Sequence, residues 1–258
     1  MKNKAQVSLF IIGAIAIIVA LGLFFFLKGE TGPTRIGGKE VNTNSFLESC
    51  LENKIRHTTE IISEHGGYIE NNFSISFKFD DEETHTLISY LCYNKNYYLP
   101  CVNQEPLLIQ HLKEEIKNEI ETDVENCFNE FVSSLEKEAY EVNSDYYGFE
   151  IDFAPKKIIV NVDGEISKTK SGETTKQEEF GVIIPSKFYD LATIVQEIVY
   201  QEGKHCNFDI LGFMMLYPDV KIEKFRTTDS ITIYRLKHRD SQEKFKFAVR
   251  SCVIPPGI

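Results

Sequence analysis

From Val7 to Leu27 the chain carries 21 residues without a single charge. A helix of that length is about 31 Å long, against about 30 Å for a bilayer's hydrocarbon core. The run therefore predicts a single transmembrane helix lying in the lipid bilayer through residues 7–27. Lys2 and Lys4 precede it, and Lys28, Arg35 and Lys39 follow, so the basic residues favour an inside N-terminus only weakly. The short leader and the large remainder place the N-terminus in the cytoplasm and the C-terminal domain outside the cell membrane. Ala20-Leu21-Gly22 offers a small-x-small site for secretory cleavage, but five bulky residues, Leu23 to Leu27, continue the run past it.

Lys4-Ala5-Gln6-Val7-Ser8 resembles the class III signal of archaeal type IV pilin-like proteins. That resemblance implies cleavage between Ala5 and Gln6, leaving the helix as an anchor or a filament core. Ala5 stands where such leaders often carry Gly. Phe10 occupies the fifth mature position, where many such subunits carry a Glu that can neutralise a neighbouring terminal amine. Phe46-Leu47-Glu48-Ser49-Cys50-Leu51, Gly66-Gly67-Tyr68-Ile69 and Phe247-Ala248-Val249-Arg250 resemble uncharacterised archaeal single-pass envelope proteins, which implies the same topology.

The remaining chain divides into a linker (29–43) behind the anchor and its leader (1–28), a helix-hairpin-helix α+β region (44–142) and a second α+β region of strands, helix and strands (143–258). Its 39 acidic and 28 basic residues give a formal charge of −11, which repels phosphate backbones and excludes nucleic acid as a partner. Six cysteines allow many connectivities. Outside the membrane they form a disulfide framework, and the pairing favoured here is Cys50 with Cys127, Cys92 with Cys101, and Cys206 with Cys252.

Periodicity supplies the elements. Ser45 and Glu48 read as a capping box for a helix with Leu47, Leu51, Ile55, Thr58 and Ile62 on one face, closed by Gly66-Gly67. Phe73 to Phe79 alternates as a half-buried strand, followed by an acidic turn and strands over Leu87–Tyr93 and Tyr97–Val102. Leu108, Leu112, Ile116, Ile120, Val124, Phe128, Val132 and Leu135 form a long helical stripe, which Thr122–Glu125 could divide into two helices. Strands over Tyr147–Phe153, Lys157–Val162 and Glu179–Ile184 are punctuated by turns at Asp163-Gly164 and Ser171-Gly172. Ser186 caps a helix that Gly203 ends, and Asp209–Leu216 reads as a short buried helix. A meander of Val220–Phe225, Ile231–Leu236 and Phe245–Val249 closes the chain. The expected class is α+β, a transmembrane helix followed by an extracytoplasmic domain of antiparallel sheets and packed helices.

The candidate sites are weak. Asp80-Asp81-Glu82-Glu83 with His85 has oxygen ligands for a cation but lacks the glycine and alternating spacing of a calcium loop, and reads as a solvated turn. His57, Glu60, Glu64 and His65 share one helix, with the histidines too far apart for one zinc. His205-Cys206 is read as a bridge partner rather than a nucleophile and its base. Tyr90, Tyr93, Tyr97, Tyr98, Tyr146 and Tyr147 are candidate contact residues, and Asn72-Phe73-Ser74 fits the glycosylation acceptor pattern. No catalytic residue, cofactor or metal site is assigned. The function expected is a non-enzymatic, membrane-anchored envelope protein with a structural or interaction role, through a protein partner or self-association. Its rivals are a pilin-like filament subunit cut before Gln6 and a surface hydrolase with a site built from distant residues.

Overall fold

The computed structural model describes residues 43–96, 98–227 and 229–252. The expected anchor over 7–27, the expected Ala5/Gln6 cleavage point and the expected linker up to residue 42 lie outside the described residues. Among the described residues no helix is long and apolar enough to cross a membrane.

Helix α1 (Thr43–Glu64) buries Leu47, Leu51, Ile55, Thr58 and Ile62, the stripe its spacing predicts, and Thr43, Thr59 and Ser63 besides. It begins two residues before Ser45, so Ser45 and Glu48 lie inside the helix and form no capping box. Gly66 and Gly67 close it at φ +76° and +102°. A Cβ on Gly66 would stand 3.0 Å from the Ser89 amide nitrogen, so only glycine lets the chain turn this close to the sheet.

The expected strand at 73–79 shortens to β1 (Ser74–Phe77), paired antiparallel with β2 (Thr86–Tyr93). The expected strand from Tyr97 to Val102 is a loop from Tyr98 to Cys101, Tyr97 lying outside the described residues. Only β3 (Val102–Asn103) reaches β2. Pro100 has no N–H to give a ladder, and Tyr98 sits at φ +65°.

Helix α2 (Leu108–Lys137) is one helix of 30 residues; Thr122–Glu125 does not divide it, because its buried stripe runs unbroken from Leu108 to Leu135. Three long strands follow as an antiparallel meander: β4 (Glu141–Ala154), β5 (Lys157–Lys170) and β6 (Glu173–Pro185). Asp163-Gly164 is no turn. It is a bulge within β5, where the register shifts against both neighbours. A Cβ on Gly164 would lie 2.8 Å from the Asp145 carbonyl oxygen and 3.2 Å from the Phe128 ring.

Helix α3 (Phe188–His205) runs through Gly203 rather than stopping there, and ends at Cys206 in a left-handed conformation. Gly203 lies against the Cys92–Cys101 loop, where a Cβ would sit 3.4 Å from the Cys101 carbonyl. Ser186 precedes the cap residue Lys187, yet its hydroxyl still accepts the Phe188 N–H. Helix α4 (Ile210–Leu216) was expected to be buried; none of its residues is. Its seven residues give it a single face against β7, which leaves the opposite apolar side uncovered.

Strands β7 (Val220–Arg226), β8 (Thr232–His238) and β9 (Lys244–Arg250) form the closing meander. They belong to a larger sheet of order β1-β2-β9-β8-β7, with β3 also on β2. The β2–β9 pair is parallel, so this sheet is mixed, and it joins the first α+β region to the second within one compact unit. Helices α1 and α3 cover one face of it, while α2 packs on α1 and on the β4–β6 sheet. The class is α+β.

Crowding at Gly164 gives a direct test. Gly164→Ala pushes a methyl into backbone and ring, and lowers stability by about 1–3 kcal/mol. Gly181→Ala, which meets nothing within 4 Å, leaves the unfolding free energy from urea titration within about 0.5 kcal/mol of the parent.

Candidate functional site

Successive residues of β8 point to opposite faces. Tyr234 faces the helices; Arg235 faces away, directly across from Lys246 of β9. Both cations are almost fully buried, Arg235 at 3% exposure and Lys246 at 1%. Two like charges opposite one another in a ladder repel, and desolvation costs several kcal/mol for each ion. Four carboxylates from three parts of the chain answer them. Arg235 contacts Asp81 at 2.6 Å, Glu82 at 3.3 Å and Glu223 at 2.5 Å. Lys246 is held by Glu82 at 2.6 Å and by Glu64. Lys237 reaches Asp81 at 3.0 Å, and Lys244 reaches Glu64 at 2.5 Å. The Phe79 ring lies over both buried cations, its centroid 4.0 Å from the Arg235 guanidinium carbon and 5.3 Å from Lys246 Nζ.

The acidic turn is solvated as expected, with Asp80, Asp81, Glu83 and His85 exposed, and its Asp81 and Glu82 carboxylates also clamp the buried cations. Asp81 and Glu82 direct their oxygens at protein cations, which leaves them unsuited to a metal. Hydrogen bonds from Arg235 and Lys237 hold the Asp81 carboxyl below its ordinary range. Burial alone would raise Glu64, but Lys244 and Lys246 outweigh it and lower the group. Glu223 behaves likewise, burial opposed and overcome by Arg235 and Lys221. Sequence reasoning missed Arg235 and Lys246. The available signal was a cation between apolar neighbours in each closing strand.

Beside this clamp the structure joins two sets of residues that looked unrelated in the sequence. His57, Glu60, Glu64 and His65 of the α1 segment and His85 from the acidic turn line one groove of about 550 Å³. Glu64 is held by its two lysines, and His65 Nδ1 lies 3.1 Å from the Ile69 carbonyl. Among the described residues no group of three or more His, Cys, Asp or Glu is placed to hold a metal ion. His205 and Cys206 end α3, and Cys206 is bonded to Cys252, so that sulfur is no thiolate nucleophile.

On the helix side of the same sheet, Glu202 accepts hydrogen bonds from the Tyr234 hydroxyl and from Lys224 at 3.2 Å. Burial, then the Glu202 charge, pushes the Tyr234 phenol far upward and keeps it a donor. Ser251 links this cluster to the disulfide loop, donating to the Glu202 carbonyl at 3.0 Å and accepting the Cys101 N–H at 2.9 Å.

The tyrosines separate. Tyr90 is buried, and Tyr93 is half-buried with Phe73 and Tyr90 around it. Tyr146 packs on Phe128, and burial followed by Glu125 and Glu121 raises its phenol to about 12. Tyr98 and Tyr147 are exposed, the former on the loop closed by Cys92 and Cys101. Another exposed apolar group is on α4, where Leu211, Leu216 and Met215 stand out, Met215 at 84%. No protein-family model, curated protein or solved structure matches this chain.

Removing one member of the clamp weakens the hold on the others. Arg235→Met leaves Glu223 to Lys221 and Asp81 to Lys237, removes the charged hydrogen bonds made by the buried guanidinium, and costs about 1.5–3 kcal/mol in chemical unfolding. Because the folded carboxyls titrate below their unfolded values, their contribution is complete above the unfolded range, about pH 4. It disappears as pH falls through the lower folded values. The urea midpoint of the parent therefore drops steeply below about pH 4, and the Arg235→Met midpoint drops less.

Proposed function

We propose that this chain is a membrane-anchored, non-enzymatic envelope protein, crossing the membrane once through residues 7–27, with its N-terminus cytoplasmic and its α+β domain outside. It acts through structure or interaction, with a protein partner or with itself. One observation carries the reading: all six cysteines of the chain are in bridges. Cys50–Cys127 has a Cα separation of 6.0 Å, Cys92–Cys101 of 5.3 Å and Cys206–Cys252 of 5.5 Å. These are the three pairs favoured from the sequence, and such frameworks persist in oxidising compartments. An apolar run of bilayer length in the same chain accounts for how the domain is retained there.

The non-enzymatic part of the reading is supported by where the reactive side chains are engaged. The carboxylates around Arg235 and Lys246 neutralise buried cations, and His65 and His111 meet backbone carbonyls. The exposed side chains of α4 and of the Cys92–Cys101 loop offer contact area instead.

The Lys4–Ser8 leader favours a second reading, a pilin-like filament subunit processed before Gln6. It makes a different prediction for the mature N-terminus, a chain beginning at Gln6 in sedimenting filaments.

The test uses membranes from cells that make the full chain. Alkaline extraction leaves the protein in the lipid fraction, added protease digests the domain in intact cells, and a maleimide reagent labels no cysteine until reductant is added. Six freely labelled thiols, or full recovery in the aqueous fraction, would overturn the proposal.

A further inference from the structure

We propose that Asn72 is an N-glycosylation site and that its glycan guards the exposed edge of the large sheet, an inference that rests on the outside placement of the domain. Asn72-Phe73-Ser74 is the sole acceptor triplet in the sequence, and the fold presents it in a way that chance placement does not require. Asn72 is exposed in the bend that leads into β1. The backbone around it is fixed: the Phe73 N–H donates to Asn71 Oδ1 at 2.8 Å, and the Phe73 carbonyl accepts the Tyr90 N–H at 3.2 Å. The Phe73 ring folds back over Tyr90 and Tyr93, with centroids 5.0 and 4.8 Å away. Asn71 is thus used by the turn and the Phe73 backbone and ring by the sheet, although Phe73 is itself 40% exposed, and Asn72 between them is exposed.

The second observation concerns the strand that follows. A sheet edge presents unpaired backbone groups, and proteins blunt such edges with charge, bulges or cover. Among the described residues the other edges are blunted. Strand β4 carries Glu141, Asp145, Glu150 and Asp152, and β6 carries Glu173, Lys176, Glu178 and Glu179. On β7, Lys221, Glu223 and Lys224 supply charge, and Met214 of α4 accepts the Ile222 N–H at 3.3 Å. Strand β3 is two residues long. Strand β1, Ser-Ile-Ser-Phe, has no charge, no proline and no bulge, and pairs with β2 alone. With Asn72 and Phe73 it forms a six-residue uncharged segment in which Phe73, Ile75 and Phe77 alternate with polar residues, an edge without the charge that turns a second strand away. A bulky hydrophilic group at its first turn blocks that approach.

The chemistry needs a lipid-phosphate-linked saccharide and its membrane transferase. The Asn72 amide nitrogen attacks the anomeric carbon and a C–N bond forms. The bond from that carbon to the phosphate oxygen breaks, its electron pair leaves with the lipid phosphate, and one amide proton passes to the leaving group.

The experiment is peptide mapping of the full chain from the cells that make it, without and with reduction. Trypsin cuts after Arg56 and Lys78, so the peptide 57–78 gains a saccharide mass while the three bridges stay intact. Ser74→Ala and Asn72→Gln remove that mass, whereas Ser74→Thr and Asn71→Gln keep it. On concentration in detergent, the Asn72→Gln chain sediments several-fold more than the Ser74→Thr chain. An unmodified peptide 57–78 with all three bridges formed overturns the inference and leaves the outside placement standing. Free thiols overturn the placement itself. Equal sedimentation of an occupied and an unoccupied chain overturns the guarding role.

Discussion

Two positive charges side by side in the middle of a sheet demand an answer from whatever surrounds them. Arg235 and Lys246 are buried, and their neutralisation fixes the far face of the β8–β9 pair. It draws in the end of α1 through Glu64, the β1–β2 turn through Asp81 and Glu82, and the edge strand β7 through Glu223. The arrangement also pins the register. A slip of one residue in β8 or β9 would carry a cation to the helix side, among Phe245, Phe247 and Leu236, where these carboxylates do not reach.

The helix side of the same strands holds the opposite arrangement, a buried acid answered by donors. Glu202 sits among Tyr234, Lys224 and the Ser251 link, and Ser251 stands between Arg250 at the end of β9 and the bridged Cys252. Neighbouring residues Tyr234 and Arg235 thus belong to two separate polar clusters divided by the sheet. Each bridge reinforces a junction that noncovalent contacts also make. Cys50–Cys127 joins α1 to α2, Cys92–Cys101 closes the loop lying on α3, and Cys206–Cys252 holds the end of that helix to the chain leaving β9. Cross-links of this kind stabilise chiefly by restricting the unfolded chain.

Much of the fold was legible in local pattern. The stripes of α1 and α2 and the closing meander follow from period, and the bridge partners are the pairing favoured among the many that six cysteines allow. The misreadings share a cause. Gly164 and Gly203 look like a turn and a stop by local rules, yet both lie inside regular elements, where the missing side chain makes room for the Phe128 ring and the Asp145 carbonyl at Gly164 and for the disulfide loop at Gly203. Ser45 looks like a cap, yet the helix starts before it. The apolar residues of α4 look like core, yet no second layer reaches them. The candidate sites were less legible. The acidic turn was visible as a cluster, but its partners lie more than 150 residues away in sequence, and no local window contains them.

The sequence by itself determined the class of secondary structure, the acidic charge, the bilayer-length apolar run and an even number of cysteines, because each depends on residue type and on spacing along the chain. The tertiary structure alone decided that β2 runs parallel to β9, that Arg235 and Lys246 share a buried site, and that His57, His65 and His85 line one groove. Those facts depend on which segments meet across the fold. Contacts of that kind arise from burial and charge compensation between distant residues, and nothing in the local order of amino acids records them.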